Sequence, residues 1–363
     1  MIIQMKDNFM KRRSSFIAGV ILSLAIVVVL IGCVYLDSIS IMQIQEDGTE
    51  APIAKAGTDA TFTVKGNINC QEDHGDVQFV VSFLAPKSWN VREHAKVTYV
   101  TTLHTDPDER LKMSIIPDSS LPKNAGGRTW GETLIQEYGV GPNVLSDMEW
   151  VSFITDDKWE IYNGDKPTYT IYITTNVGEL NLRTYLGFFV NHTDDGISTS
   201  SDHKKVKFSD EIFEVVEGKG LLIDYAQEHF NKVQPLASLQ DDYVTISFNG
   251  GVYANDLNDE DEVYFKAIAY DESGVVIAQI DEKTEKTLMK RESRYNRIRS
   301  LTIWPAQFFN VPEGATVNYI EYVFTNQDGT ITITKSDDDL VTNNIPIDNP
   351  GAKVPFVFEF LCE

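Results

Sequence analysis

The sequence predicts an all-β protein of two immunoglobulin-like β-sandwich domains, the first carrying a loop and short-helix insertion. Three observations predict it. Short runs alternate apolar and polar residues, the mark of half-buried antiparallel strands. Val, Ile, Thr, Tyr and Phe dominate those runs, as strand propensity expects. Turn signals separate them with no βαβ rhythm between, which is the spacing of a sandwich. A chain of 363 residues allows two domains or one large one. With 42% apolar and 23% charged residues it can fill a core, and it is neither disordered nor fibrous.

The first 32 residues stand apart from that pattern. They hold Lys6, Lys11, Arg12 and Arg13 against Asp7, and then an apolar run from Phe16 to Ile31. Sixteen residues in a helix span roughly 24 Å, short of a bilayer core of about 30 Å. A basic start and a short apolar run read as a secretory signal; an uncleaved anchor helix is the alternative. Residues 33–50 then read as a tether.

The first sandwich is expected over 51–217. Ala60–Val64, Val77–Phe83, Tyr169–Ile173 and Val206–Phe208 alternate, with turns at Glu46-Asp47-Gly48, Asn163-Gly164-Asp165 and Asp194-Asp195-Gly196. Residues 104–147 interrupt it with Pro107, Pro117, Pro122 and Pro142. Inside that insertion a short helix is expected over 129–138. Thr129 is its N-cap, Glu132 completes a capping box, and Gly139 stops it. Residues 218–237 read as a linker in which Leu221, Leu222, Tyr225 and Phe230 pack between the domains. The second sandwich is expected over 238–363. Its strands are Asp242–Phe248, Val263–Tyr270, Ser300–Trp304, Tyr319–Phe324 and Val354–Leu361.

Charge excludes one class of partner. The 31 basic and 54 acidic residues leave a net charge of −23. Without the first 32 residues it would be more negative still, since only that end is net positive. Such a field repels phosphate backbones, so no nucleic acid is expected and any polyanion site must be local. The basic stretch from Lys283 to Arg299 is the local exception; it reads as a solvated hairpin or as a binding patch. Neutral glycans feel no repulsion, so the overall charge leans towards an uncharged one. The three cysteines form no CxxC, which speaks against a thiolate zinc site or a disulfide scaffold. A bridge between Cys70 and Cys362 would have to join the two domains.

Enzymatic chemistry has little support. No GxSxG, HExxH or P-loop occurs. A glycosidase needs two carboxylates with separated pKa values, and so many acidic residues single out no pair. The acidic loop holding Asp256, Asn258, Asp259 and Asp261 offers oxygen ligands of the kind calcium takes. It lacks the glycine of an EF-hand loop, and a solvated acidic turn is the alternative.

Leu30-Ile31-Gly32-Cys33 resembles a bacterial lipobox, in which a lipoprotein signal peptidase cuts before the cysteine. The resemblance implies that Cys33 carries the lipid that anchors the protein to a membrane. Three segments of the second half, Glu262–Tyr270, Trp304–Gly314 and Ile320–Thr330, are similar in order to immunoglobulin-like modules of Bacteroidetes glycan-utilisation proteins, among them starch-binding modules. In the first half, Ala85–Asn90, Ile116–Lys123, Gly141–Val144 and Asp147–Trp150 resemble uncharacterised Bacteroidetes lipoproteins. These resemblances imply a place, the outer membrane at the cell surface, and a partner, a TonB-dependent importer of the starch-utilisation type. They imply no reaction.

Sugar recognition needs flat aromatic faces for ring C–H surfaces and planar polar groups for hydroxyls. Trp89 and Trp130 lie among Gly, Pro, Asn and Lys, and Trp304 and Tyr295 are the aromatic candidates of the second half. Each could equally be core; Trp150, in an apolar strand, reads as core. Two functions are therefore expected as alternatives. One is a non-catalytic surface lipoprotein that binds a polysaccharide or oligosaccharide for an importer. The other is an assembly subunit of an outer-membrane complex that touches no sugar.

Overall fold

The largest sheet has nine strands. In spatial order they are Cys33–Ser40, Asp59–Asn69, Thr168–Asn176, Lys96–Thr101, Leu111–Ile115, Met148–Thr155, Phe79–Pro86, Gly187–His192 and Lys205–Phe208. This computed structural model describes residues 33–194, 196–197, 201, 203–293, 295–343 and 353–361. The expected signal segment, with Leu30, Ile31 and Gly32, lies outside the described residues, as does Cys362.

Every pairing in the nine-stranded sheet is antiparallel. The alternation read from the sequence becomes alternating burial along Asp59–Asn69, where Ala60, Phe62 and Val64 point inward. The sheet curls until its two edge strands, Cys33–Ser40 and Lys205–Phe208, approach each other. The approach partly covers the two edges, which present unpaired backbone groups. It leaves an apolar cavity of about 20 Å³ between strands, too small for a sugar ring. A four-stranded sheet of Lys219–Asp224, Leu180–Thr184, Phe213–Val216 and Ile53–Lys55 shares the same core. Phe213 carries the contact, with its ring 5.2 Å from Phe62 and 5.7 Å from Trp89.

The second sandwich pairs two sheets. One holds Asn231–Gln234, Val244–Asn249, Ile298–Ile303 and Lys290–Arg291. The other holds Val276–Ile280, Tyr264–Tyr270, Tyr319–Thr325 and Thr332–Ile333, with Phe356–Glu359 also on Tyr319–Thr325. Val244, Ile246 and Phe248 meet Phe265, Tyr322 and Phe324 in one core, and Phe248 lies 5.1 Å from Phe324.

Three expectations change. Residues 33–50 are not a tether, because Cys33–Ser40 pairs along Thr63–Asn69 as a strand. The 104–147 insertion is part of the sheet as well as a cover, since Leu111–Ile115 bridges Lys96–Thr101 and Met148–Thr155. Residues 218–237 are not a linker. Lys219–Asp224 joins the first sandwich, Asn231–Gln234 joins the second, and only 225–230 cross between them. Tyr225 is buried in the first core and Phe230 in the second.

The helix Trp130–Tyr138 forms on its expected cap. The Thr129 hydroxyl accepts from the Glu132 amide at 3.2 Å, and the Glu132 carboxylate accepts from the Thr129 amide at 2.9 Å. These bonds from Thr129 hold the Glu132 carboxyl below its ordinary pKa.

Candidate functional site

Two of the four aromatic candidates are core. Trp89 is fully buried, stacked 6.0 Å from Phe62 at an interplanar angle of 10°. The turn Lys87–Trp89 folds its indole inward, and Asn90 reverses the chain with φ 46°. Trp130, the first residue of its helix, is buried with its ring 6.5 Å from Phe189. Gly131 allows that close seating, because a Cβ there would lie 2.8 Å from the Trp150 carbonyl oxygen. Neither side chain offers a face to a ligand. The polar residues around each form turns that drive the ring inward, so loop-like sequence does not mean an exposed ring.

The acidic loop is also differently used. Asp256–Asp259 is a 3-10 turn pinned by buried Leu257. The Asp261 carbonyl accepts from the Arg299 guanidinium at 2.9 Å, and the Glu260 carbonyl accepts from it as well. Arg299 thus occupies with its own charge the backbone oxygens a cation would want. Among the described residues no three His, Cys, Asp or Glu side chains converge on a metal position, Asp256, Asp259 and Asp261 included. Cys70 is a buried free thiol that donates to the Glu72 carbonyl. Burial pushes its pKa up, so it is a poor nucleophile.

The other two aromatics are exposed, and the structure separates them. Tyr295 is 82% exposed in the turn before Ile298–Ile303, and Trp304 follows that strand at its far end. Six residues of strand hold them roughly 20 Å apart. Trp304 has a different partner. Tyr243, just before Val244–Asn249, places its ring 6.5 Å from that of Trp304. The pair stands open to solvent, Tyr243 at 70% and Trp304 at 39% exposure.

The outer face of this sheet continues from the pair as polar rungs. Inward residues of Val244–Asn249 fill the core, so Thr245 and Ser247 lie on the opposite face, where Thr245 is half-buried and Ser247 buried. Across from them stand Thr302 and Ser300. The hydroxyl oxygens lie 2.8 Å apart in each of the Thr245–Thr302 and Ser247–Ser300 pairs. Ser300 donates its proton to Glu292 at 2.5 Å, so Ser247 must donate to Ser300. The threonine rung makes one bond from two hydroxyls, which leaves one O–H donor and several lone pairs available. Gln234 lies beside Thr245 in the same row, exposed, with a planar amide. One row further on, Lys232 stands beside Ser247 and Lys290 beside Ser300. Aromatic faces, hydroxyls and an amide on one flat surface match what a sugar ring demands. Tyr243 was legible only as a residue of the alternating strand Asp242–Phe248; its pairing with Trp304 depends on the register of two strands about sixty residues apart.

A family model described as Domain of unknown function (DUF4961) matches residues 39–229, and one described as Domain of unknown function (DUF8578) matches 231–333. The break between the matches falls where the chain passes from one sandwich to the other. No curated protein matches the chain. Among solved structures, the C-terminal domain of the antigen I/II-family protein AspA of Streptococcus pyogenes is 10% identical, with a TM-score of 0.24, over 83% of this chain and 96% of that one. A partial N-terminal region of an enterococcal surface protein is 9% identical, with a TM-score of 0.25, over 82% and 92%. Likenesses this slight carry no argument. The all-β architecture rests on the strands themselves, and no described helix is long and apolar enough to cross a membrane.

Proposed function

The chain belongs to the DUF4961 family of domains of unknown function, and we propose that it is a non-catalytic, lipid-anchored surface protein that binds a glycan on the outer face of its second sandwich. In this reading Cys33 carries the anchor, and the bound polysaccharide is held for a TonB-dependent importer in the outer membrane. One observation carries the proposal: the open Tyr243–Trp304 pair, set at the end of a hydroxyl-lined sheet face. An aromatic pair left half in water has no folding role that requires its exposure, whereas a sugar ring would bury both faces.

Calorimetry and affinity gels across neutral and acidic polysaccharides test it. Binding on the order of micromolar to millimolar is expected for at least one of them. Trp304→Ala and Tyr243→Ala should each weaken it roughly tenfold, the loss of about 1.4 kcal/mol. Trp89→Phe should leave it unchanged. A protein that ignores the whole panel, yet co-purifies with importer components, would instead have the assembly role.

A further inference from the structure

The sheet face that ends in Tyr243 and Trp304 carries positive charge at its other end. Lys232 and Lys290 lie in one row across the four strands, flanking the Ser247–Ser300 rung. Three strand spacings put their Cα atoms about 14 Å apart. The protein has 54 acidic residues and a net charge of −23. Several of its other lysines find a carboxylate, as Lys266 and Lys283 do on Asp281 and Lys335 does on Asp339. Among the described residues neither Lys232 nor Lys290 forms an ion pair. Two unneutralised ammonium groups on one flat face, in so acidic a chain, are a local reversal of the molecule's field.

We propose that the ligand of this face is an acidic glycan, one bearing carboxylate or sulfate groups, aligned along the strands. The inference rests on the glycan-binding reading above and adds the ligand class to it. A ring stacks on Tyr243 and Trp304, the free threonine hydroxyl and Gln234 meet the next hydroxyls, and an anionic group reaches the lysine row. The distances allow it. Thr245 lies two residues from Tyr243 and Ser247 four, so successive rows are about 6.7 Å apart. That step is of the order of one sugar unit, so the lysine row, two steps from Tyr243, meets an anion about two units along the chain and not on the stacked ring. Glu292 shares the face, occupied by the Ser300 hydroxyl, and opposes the lysines. The long-range repulsion of the acidic body is screened beyond about 8 Å at physiological salt, so the row is what an anion feels on contact. The overall charge, which leans towards a neutral ligand, is thus the wrong scale on which to choose it.

The test is binding of the full-length protein to polygalacturonate, chondroitin sulfate and neutral amylopectin, at low and physiological salt. Tighter binding to at least one acidic polymer than to amylopectin is expected, weakening as salt rises. Lys232→Gln and Lys290→Gln remove the charge and leave a polar side chain one atom shorter. Each should weaken acidic binding about three- to fivefold and the pair roughly tenfold, with amylopectin unaffected. Glu292→Gln should strengthen it. Unchanged melting temperatures confirm that folding is intact in these variants. An acidic preference that survives the double lysine variant would overturn the assignment. So would Trp304-dependent binding to amylopectin with no acidic preference, which leaves the glycan-binding reading standing. Silence towards all three polymers and the wider panel removes both.

Discussion

Trp89 and Trp304 are both aromatic candidates in the sequence, and one is sealed while the other stands half open. The difference lies in what their neighbours do. Pro86 and the turn Lys87–Trp89 throw the Trp89 ring onto Phe62 and Phe213, two residues distant in sequence from it and from each other. Trp304 follows a strand whose inward positions are already filled by Leu301 and Ile303, so its ring remains on the rim. No local pattern encodes that contrast. It has a consequence for stability. Among the described residues the buried Trp89 Nε1 has no hydrogen-bond partner, which costs about 1–3 kcal/mol. Trp89→Phe removes the orphan donor while keeping part of the stack. Trp89→Ala should cost about 3–5 kcal/mol in urea unfolding and Trp89→Phe at least about 2 kcal/mol less. Equal losses would mean that the indole nitrogen is satisfied in solution.

Elements were legible in proportion to how local their signals are. The helix Trp130–Tyr138 is specified within eleven residues by its cap, its box and its stop, and it forms where expected. Thr129→Ala should therefore lower stability by about 1 kcal/mol, read from the shift of the urea midpoint. No change would mean that packing of Trp130 and Leu134 holds the helix without its cap. The alternating strand Asp59–Asn69 was equally plain, because its own burial pattern repeats every second residue. Cys33–Ser40 and Lys219–Asp224 were not. The first follows an apolar run that overshadows it, and it earns its place only by pairing with Thr63–Asn69. The second runs parallel to Leu180–Thr184, some forty residues earlier, and a parallel partner leaves no turn signal in the sequence. The candidate site follows the same rule. Trp304 could be named from sequence, but Tyr243 and the two threonines become its neighbours only through the antiparallel register of Val244–Asn249 with Ile298–Ile303.

At the scale of the whole molecule, the two sandwiches are joined by a charged cluster where the chain crosses between them. His229 lies between Asp224 of the first sandwich, 3.3 Å from its Nε2, and Asp338 of the second, 2.5 Å from its Nδ1. Asp338 also accepts from the Phe230 amide at 2.8 Å. Arg183 faces the cluster from the first sandwich, bonded to Glu214 and Asp224. Burial alone would lower the His229 pKa, but its hydrogen bonds to Asp224 and Asp338 outweigh that and push it up to about 9. A histidine charged when folded and near 6.5 when unfolded contributes stability that is complete below pH 6.5. The contribution is lost as pH rises through about 9. With the side chain only 24% exposed, it amounts to on the order of 2–3 kcal/mol. Unfolding midpoints measured from pH 6 to 10 should therefore fall, and His229→Gln should flatten the fall while lowering the plateau. The loss should appear first in the contact between sandwiches, as protease cleavage within 225–230 at high pH before either core opens. A wild-type profile as flat as that of His229→Gln would show that the histidine is neutral in the folded protein and that the two aspartates hold the junction without it.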